Sequence, residues 1–349
     1  MAEALDMSQH EFESQAMTFM NAEKDLVSII VPVKNELEHI ERLVRSIYAQ
    51  NYKPLEVVIV DGGSRDGTLD ILHKLKAQMD GSEFNMKVLR EEDYGRACSV
   101  PNARNIGIVH SRGRNIVFLE GDMELLEPDL IGEVKKALET HMWVAVLAAS
   151  MIDSSVEEAL IAEVSAWYSG RYPYSYCAVR REVTEKRMFD PTIAPFEQVD
   201  FFDDYLASEL KIVPYESRKK IGRHEPHTLA ELARQQLWYG RTAWTYFAKH
   251  LSTKSMRMLV SPTLPIVPVL LAGICAALSQ FALSLVLVLL YLYRRFTFSL
   301  LIPPQFRKFR VFILVTFIDS VLRPVAYTLG LLYGAMVRAV NHEVKLSRD

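Results

Sequence analysis

The segment from Val27 to Thr68 constrains the fold more than any other part of the chain. VSIIVPVKNE is an apolar run that ends in Lys34, Asn35 and Glu36, and EVVIVDGGSRDGT is a second that ends in Asp61, Ser64 and Asp66. The β-branched run Val27–Val31 predicts a buried strand, and Ile40, Leu43, Val44 and Ile47 fall at helical spacing within Glu38–Ala49. Strands that alternate with helices build a mostly parallel sheet with right-handed crossovers. Ligands of such sheets bind outside the carboxyl ends of the strands. Here two strand ends carry carboxylates and glycines, which suit ribose hydroxyls, a base N–H or a bound metal. A bare phosphate cradle would want backbone N–H groups and cations instead.

The alternation continues. Val57–Val60, Met86–Leu89, Asn115–Leu119 and Val144–Ala148 read as strands, with helices over Gly67–Met79, Pro101–His110 and from Pro128 to about Thr140. The expected class is α/β. From Ser150 to His250 the rhythm breaks, and a stretch rich in Tyr, Trp, Arg and carboxylates reads as the second half of the same domain. A net charge of −3 argues against a nucleic-acid partner. Cys98, Cys177 and Cys275 are widely spaced with no CxxC, the pattern of free thiols rather than a disulfide framework or a metal site.

Residues 1–24 form an acidic tail without a basic region followed by an apolar run, so no signal peptide is expected. Residues 25–250 are the expected catalytic domain and 251–349 the expected membrane region. Leu259–Tyr293 contains no charge, and about 20 apolar residues span a bilayer. A second run, Val311–Val337, is interrupted by Asp319 and Arg323, with Pro324 following. Arg294, Arg295, Arg307, Lys308 and Arg310 lie between the runs, and Arg338, Lys345 and Arg348 follow the second. The positive-inside rule puts both clusters, and the domain that precedes them, on the cytoplasmic side. The first run then forms a hairpin or lies in the interface; the second spans once, spans twice or lies flat.

The fourth strand runs into FLEGDMEL, which sets Glu120 and Asp122 two apart at a strand end. Two carboxylates on a bent exit suit a hard cation, Mg²⁺ or Mn²⁺. Taken in order, Pro32, Asn35 and Glu36; Val60, Asp61, Gly63, Ser64 and Asp66; Ala103, Arg104, Asn105 and Gly107; and Glu120-Gly121-Asp122 resemble the motifs of family 2 glycosyltransferases of the GT-A fold. The resemblance covers about Asp25 to Arg241. Gly62 stands where the family's D-D-G-S pattern has its second Asp, and Glu120 where its D-x-D has the first.

The resemblance implies a nucleotide-sugar donor, UDP- or GDP-linked, held by Pro32, Asn35, Glu36, Asp61, Ser64, Asp66, Arg104, Asn105, Glu120 and Gly121, with Asp61 facing the base. It implies a metal on Asp122 and Glu120, with His224, ahead of His227, completing the metal shell or meeting the diphosphate. The family's base lies in a run like g-E-D-v-D, and here the run is Glu197-Gln198-Val199-Asp200. An amide takes no proton from a hydroxyl, so Glu197 is the first substitute base and Asp200 the next. A phosphate acceptor would need no base. Asp190, in a Phe-Asp-Pro element, is expected at the acceptor loop or in a structural turn; Arg180 and Arg181 are expected at phosphate or as a solvated pair. RQQLWYGR, with Trp238 and Arg241, reads as an amphipathic helix at a membrane surface. The function implied is inverting transfer of a sugar to a polyprenyl phosphate, lipid-linked oligosaccharide or glycolipid in the bilayer. The alternatives are a processive polysaccharide synthase and an inactive membrane-anchored scaffold.

Overall fold

The computed structural model describes residues 23–95, 98–151, 177–193, 196–212, 214–224, 228–251, 267–277, 283–289 and 321–346, with a few single residues between them. The tail before Glu23, His227 and the cationic stretch between the two apolar runs lie outside the described residues. The chain divides into two compact units, one of Met1–Met151 with Ala166–Glu225, the other of Ile152–Ser165 with Pro226–Asp349.

The first unit begins as its sequence directs. Strand β1 (Glu23–Val33), helix α1 (Ile40–Tyr48), β2 (Leu55–Asp61), α2 (Thr68–Met79), β3 (Phe84–Arg90), α3 (Val100–His110) and β4 (Gly113–Phe118) alternate. β1 pairs in parallel with both β2 and β4, and β2 with β3. All eight residues from Leu26 to Val33 are buried, as is the whole of β2. A continuous apolar run is what a strand covered by helices on both faces requires. Below them α1 buries Ile40, Leu43, Val44 and Ile47, the four positions at helical spacing. On the other face α3 approaches closely through Gly107, where a Cβ would stand 2.3 Å from Ile30 Cγ2.

The rest of the sheet departs from the expected parallel pattern. β5 (Met123–Leu125), α4 (Leu130–Ala137), β6 (Trp143–Met151), β7 (Cys177–Arg180), α5 (Arg181–Lys186), a π-helix (Val199–Glu209) and β8 (Tyr215–His224) complete the unit. The strand order is β3-β2-β1-β4-β7-β6-β8-β5. β7 runs antiparallel to β4 and β6, and β5 antiparallel to β8. Between β7 and the π-helix lies a second core of Phe118, Trp143, Phe189, Phe201, Phe202 and Tyr205, with the Phe189 and Phe201 rings stacked at 4.3 Å. The chain leaves β1 toward β2 on one side, and β4 lies on the other. That reversal places a crevice at the carboxyl ends of β1 and β4.

In the second unit, α6 (Leu229–Lys249) opens on a capping box of Thr228 and Glu231. It packs on α8 (Arg323–Leu346) through glycines. A Cβ at Gly240 would meet Tyr327 O at 2.0 Å, and one at Gly330 would meet Leu237 O at 2.1 Å. Of the apolar run 259–293, the described part includes α7 (Val267–Ala277) and a helical stretch at 283–289. Among the described residues no helix is long and apolar enough to cross a membrane.

Candidate active site

The two loops that follow β1 and β2 are tied to each other by the polar residues of their motifs. The Asn35 N–H donates to Ser64 Oγ at 2.8 Å, and the Arg65 N–H donates to Asn35 Oδ1 at 2.9 Å. Asn35 takes a left-handed φ of 57°, a conformation its short amide tolerates. The Glu36 N–H donates to Thr68 Oγ1 at 2.9 Å, and the Leu37 N–H to Asp66 Oδ2 at 3.1 Å. Asp61 is fully buried, and its carboxylate accepts the N–H groups of Gly63 and Ser64. Asp66 accepts from both the N–H and hydroxyl of Thr68. Slight burial works against its charge, but these hydrogen bonds outweigh it and hold the carboxyl below its ordinary range. Asn35, Ser64 and Asp66 thus shape the loops from within.

Glu120, Gly121 and Asp122 form the turn between β4 and β5. A Cβ at Gly121 would lie 2.6 Å from Glu36 Cγ, so the glycine lets the β1 loop lie directly on the acidic turn. Glu120 is 23% exposed and Asp122 half-buried. Their oxygens are hard donors of the kind Mg²⁺ and Mn²⁺ take, and the set fits such an ion. β5 pairs antiparallel with β8, Met123 opposite Arg223. His224, the next residue of β8, therefore follows at the ladder end where the Asp122 turn begins.

Arg104 joins these elements. It is 1% exposed on α3, a helix started by the Ser99 hydroxyl accepting from the Asn102 N–H. Its guanidinium donates to Glu197 Oε1 at 2.7 Å and to Glu120 Oε1 at 3.2 Å, and lies over the Phe189 ring. Gln198 Nε2 donates to the same Glu120 oxygen at 3.0 Å. Asn105 holds Phe189 in place by exchanging two hydrogen bonds with its backbone. Glu197 is 5% exposed. Burial pushes its carboxyl up to about 7, against the pull of Arg104.

Two expected site residues lie elsewhere. Arg180 stands opposite Asn115 near the start of β4, toward the other end of that strand from Glu120, and its guanidinium donates to the Leu138 and Glu139 carbonyls beyond α4. Arg181 is buried and donates to Gly113 O, Ile108 O and Ser111 Oγ. Both serve the fold, because carbonyls rather than solvent satisfy them. Asp200 is fully buried and ion-paired with Arg187, which withdraws it from an incoming acceptor. Asp190 accepts from the Thr192 N–H and hydroxyl in a turn beside Phe189. Thr68 and Phe189, to which the motifs assigned no role, hold Asp66 and Arg104. The Thr closing the S-R-D-G-T run and the Phe of Phe-Asp-Pro were the visible signals.

With this geometry in view, residues 28–184 match the model of glycosyl transferase family 2. This segment is similar to family 2 glycosyltransferases. The matched segment includes Pro32 to Asp122 and ends ahead of Glu197. A glycosyltransferase from Haloferax volcanii, AglE, is 35% identical over 105 residues, 30% of this chain and 32% of the relative. The GalNAc(5)-diNAcBac-PP-undecaprenol beta-1,3-glucosyltransferase of Campylobacter jejuni is 30% identical over 116 residues, 33% of this chain and 35% of the relative. The matches span about a third of the length of these curated relatives. Among solved structures, the mannosyltransferase PcManGT from Pyrobaculum calidifontis, in complex with GDP-Man and Mn²⁺, superposes with a TM-score of 0.57. It is 15% identical, over 95% of this chain and 98% of that one, a likeness of fold, the GT-A type of α/β architecture.

Proposed function

We propose that this protein transfers a sugar, with inversion, from a UDP- or GDP-linked donor to the phosphate of a membrane lipid at the cytoplasmic face. The observation that carries this reading is the contact of Gln198 with Glu120 beside the Arg104–Glu197 pair. An amide occupies the place where a base for a hydroxyl acceptor would stand. A phosphate oxygen is already anionic at neutral pH and needs no base. Glu197 sits behind Arg104, so its part is to fix the guanidinium rather than to meet the acceptor.

In this reading Glu120, Asp122 and the neighbouring His224 hold a divalent cation, which when bound neutralises charge on the departing nucleoside diphosphate. The acceptor oxygen forms a bond to the anomeric carbon as the bond to the diphosphate oxygen breaks. Arg104 keeps Glu120 oriented throughout, and the β1 and β2 loops hold the nucleoside. The Campylobacter jejuni relative supports an acceptor carried on a polyprenyl lipid, and the Mn²⁺ complex of the mannosyltransferase supports the metal. The apolar side chains exposed on α8 support attachment to the bilayer.

The test is a panel of radiolabelled UDP- and GDP-sugars supplied with polyprenyl phosphate, a lipid-linked oligosaccharide or a glycolipid. Turnover on the phosphate is expected, with Asp122→Ala abolishing it. Activity confined to hydroxyl acceptors, or an active Asp122→Ala variant, would defeat the proposal. Nucleotide binding without turnover on any acceptor would mark a scaffold instead.

A further inference from the structure

Gly62 breaks the D-D-G-S pattern, and the structure contains a second feature that matches the break. A Cβ at Gly62 would stand 2.7 Å from Cys98 Sγ, closer than any real contact, and 3.5 Å from Glu91 Oε2. The thiol occupies the space where an aspartate at this position would begin. Cys98 donates its S–H to Gly62 O at 2.9 Å, and Lys34 Nζ lies 3.7 Å from the sulfur. Behind the thiol, Glu91 is buried and accepts from the Ser99 N–H and from Asn102 Nδ2. Cys98 and Lys34 themselves are exposed.

These residues occupy a defined place in the sheet. Lys34 follows β1, Gly62 follows β2, and Glu91 and Cys98 follow β3, all at carboxyl ends. Glu120 and Asp122 follow β4, on the other side of β1. Strands lie about 4.8 Å apart, so β2 and β4 are separated by roughly 10 Å across the crevice. In the proposed function the β1 and β2 loops hold the nucleoside, and Lys34, Gly62 and Cys98 stand at that end of the crevice.

We propose that Cys98, filling the gap left by Gly62, is a donor-contacting residue that replaces the missing aspartate at the nucleoside end of the crevice. Lys34 flanks it and Glu91 holds it from behind as a positioning residue. The exchange swaps a carboxylate, which demands an N–H from its ligand, for a thiol that donates weakly and accepts weakly. This inference rests on the donor reading given above.

The test uses the unaltered full-length protein. Calorimetry with UDP and GDP first establishes whether a nucleotide binds. N-ethylmaleimide labelling at pH 8 is then followed by peptide mass spectrometry at Cys98, with the buried Cys177 as internal control. Saturating nucleotide is expected to slow labelling of Cys98 by about tenfold, since a covered thiol reacts only from the free fraction. Gly62→Asp is expected to weaken nucleotide binding about tenfold, and the Gly62→Asp/Cys98→Gly pair to recover it, the non-additivity of residues in contact. Binding of neither nucleotide overturns the donor reading and this inference together. Binding that leaves Cys98 labelling unchanged overturns this inference alone.

Discussion

Arg104 bears two carboxylates on one guanidinium, and the arrangement makes its removal costly. Arg104→Met strands Glu197 in a site that is 95% covered, without its cation. Breaking a buried pair from one side costs up to about 3–5 kcal/mol, because the remaining carboxyl must either stay charged without compensation or take up a proton. Adding Glu197→Leu removes that charge, so the double variant should be more stable than Arg104→Met in urea unfolding. Equal midpoints would show that the pair is not what holds the region. Glu56 offers a second case, with a pH signature. Its buried carboxylate accepts from Ser28 Oγ, Lys87 Nζ and the Arg112 N–H. Burial disfavours its charge, but those partners prevail and its pKa lies below the ordinary value. The unfolded value is about 4.3, so the contribution is complete above it and is lost as pH falls through the lower folded value. Glu56→Gln should therefore lower the unfolding midpoint at pH 7 and flatten its dependence on pH in the acid limb. An unchanged acid limb would count against the assignment.

At the scale of elements, glycines set the closest approaches. Gly330 of α8 faces the Leu237 carbonyl of α6, and a methyl there has no flexible side chain to displace. Gly330→Ala must part the two helix backbones, and overpacking of this kind costs about 1–3 kcal/mol despite the gain in helix propensity. Differential scanning calorimetry should show a lowered transition; a raised one would mean that the helices are not in register through this glycine. Neither this contact nor strands β5, β7 and β8 were legible in the sequence. β1, β2, β3, β4 and β6 were, β1 and β2 most plainly, because strands covered on both faces leave unbroken β-branched runs. β7 is four residues long, β5 three, and β8 reads YESRKKIGRH, with no apolar alternation to mark it. Their pairing is decided by which strands they meet. The same difference holds for the site. Asp122, Glu120 and Arg104 announced themselves by motif, whereas the burial of Asp200 under Arg187 and the placing of Arg180 at the opposite strand ends from Glu120 depend on long-range packing.

For the molecule as a whole, the second unit presents apolar surface that the crevice of the first unit does not explain. Leu329, Leu332, Tyr333 and Met336 of α8 are all more than half exposed, as are Ile274 of α7 and Leu285 and Leu289 of the 283–289 stretch. In sequence the same unit adds Arg338, Lys345 and Arg348 after the second apolar run. An apolar helix face with cations beside it binds at the headgroup boundary, strengthened by anionic lipid. The full chain should therefore co-sediment with vesicles, more with phosphatidylglycerol than with phosphatidylcholine alone, and the difference between them should shrink as salt is raised. Burying a Leu or Met side chain contributes about 1.5–3 kcal/mol, so Leu332→Glu with Met336→Glu should lower the partition by at least about tenfold. The same variant should keep its affinity for free nucleotide, since the donor loops belong to the first unit. A chain that stays in the supernatant with both lipids would remove the bilayer from the proposed function, and the acceptor would then have to be sought among soluble phosphates.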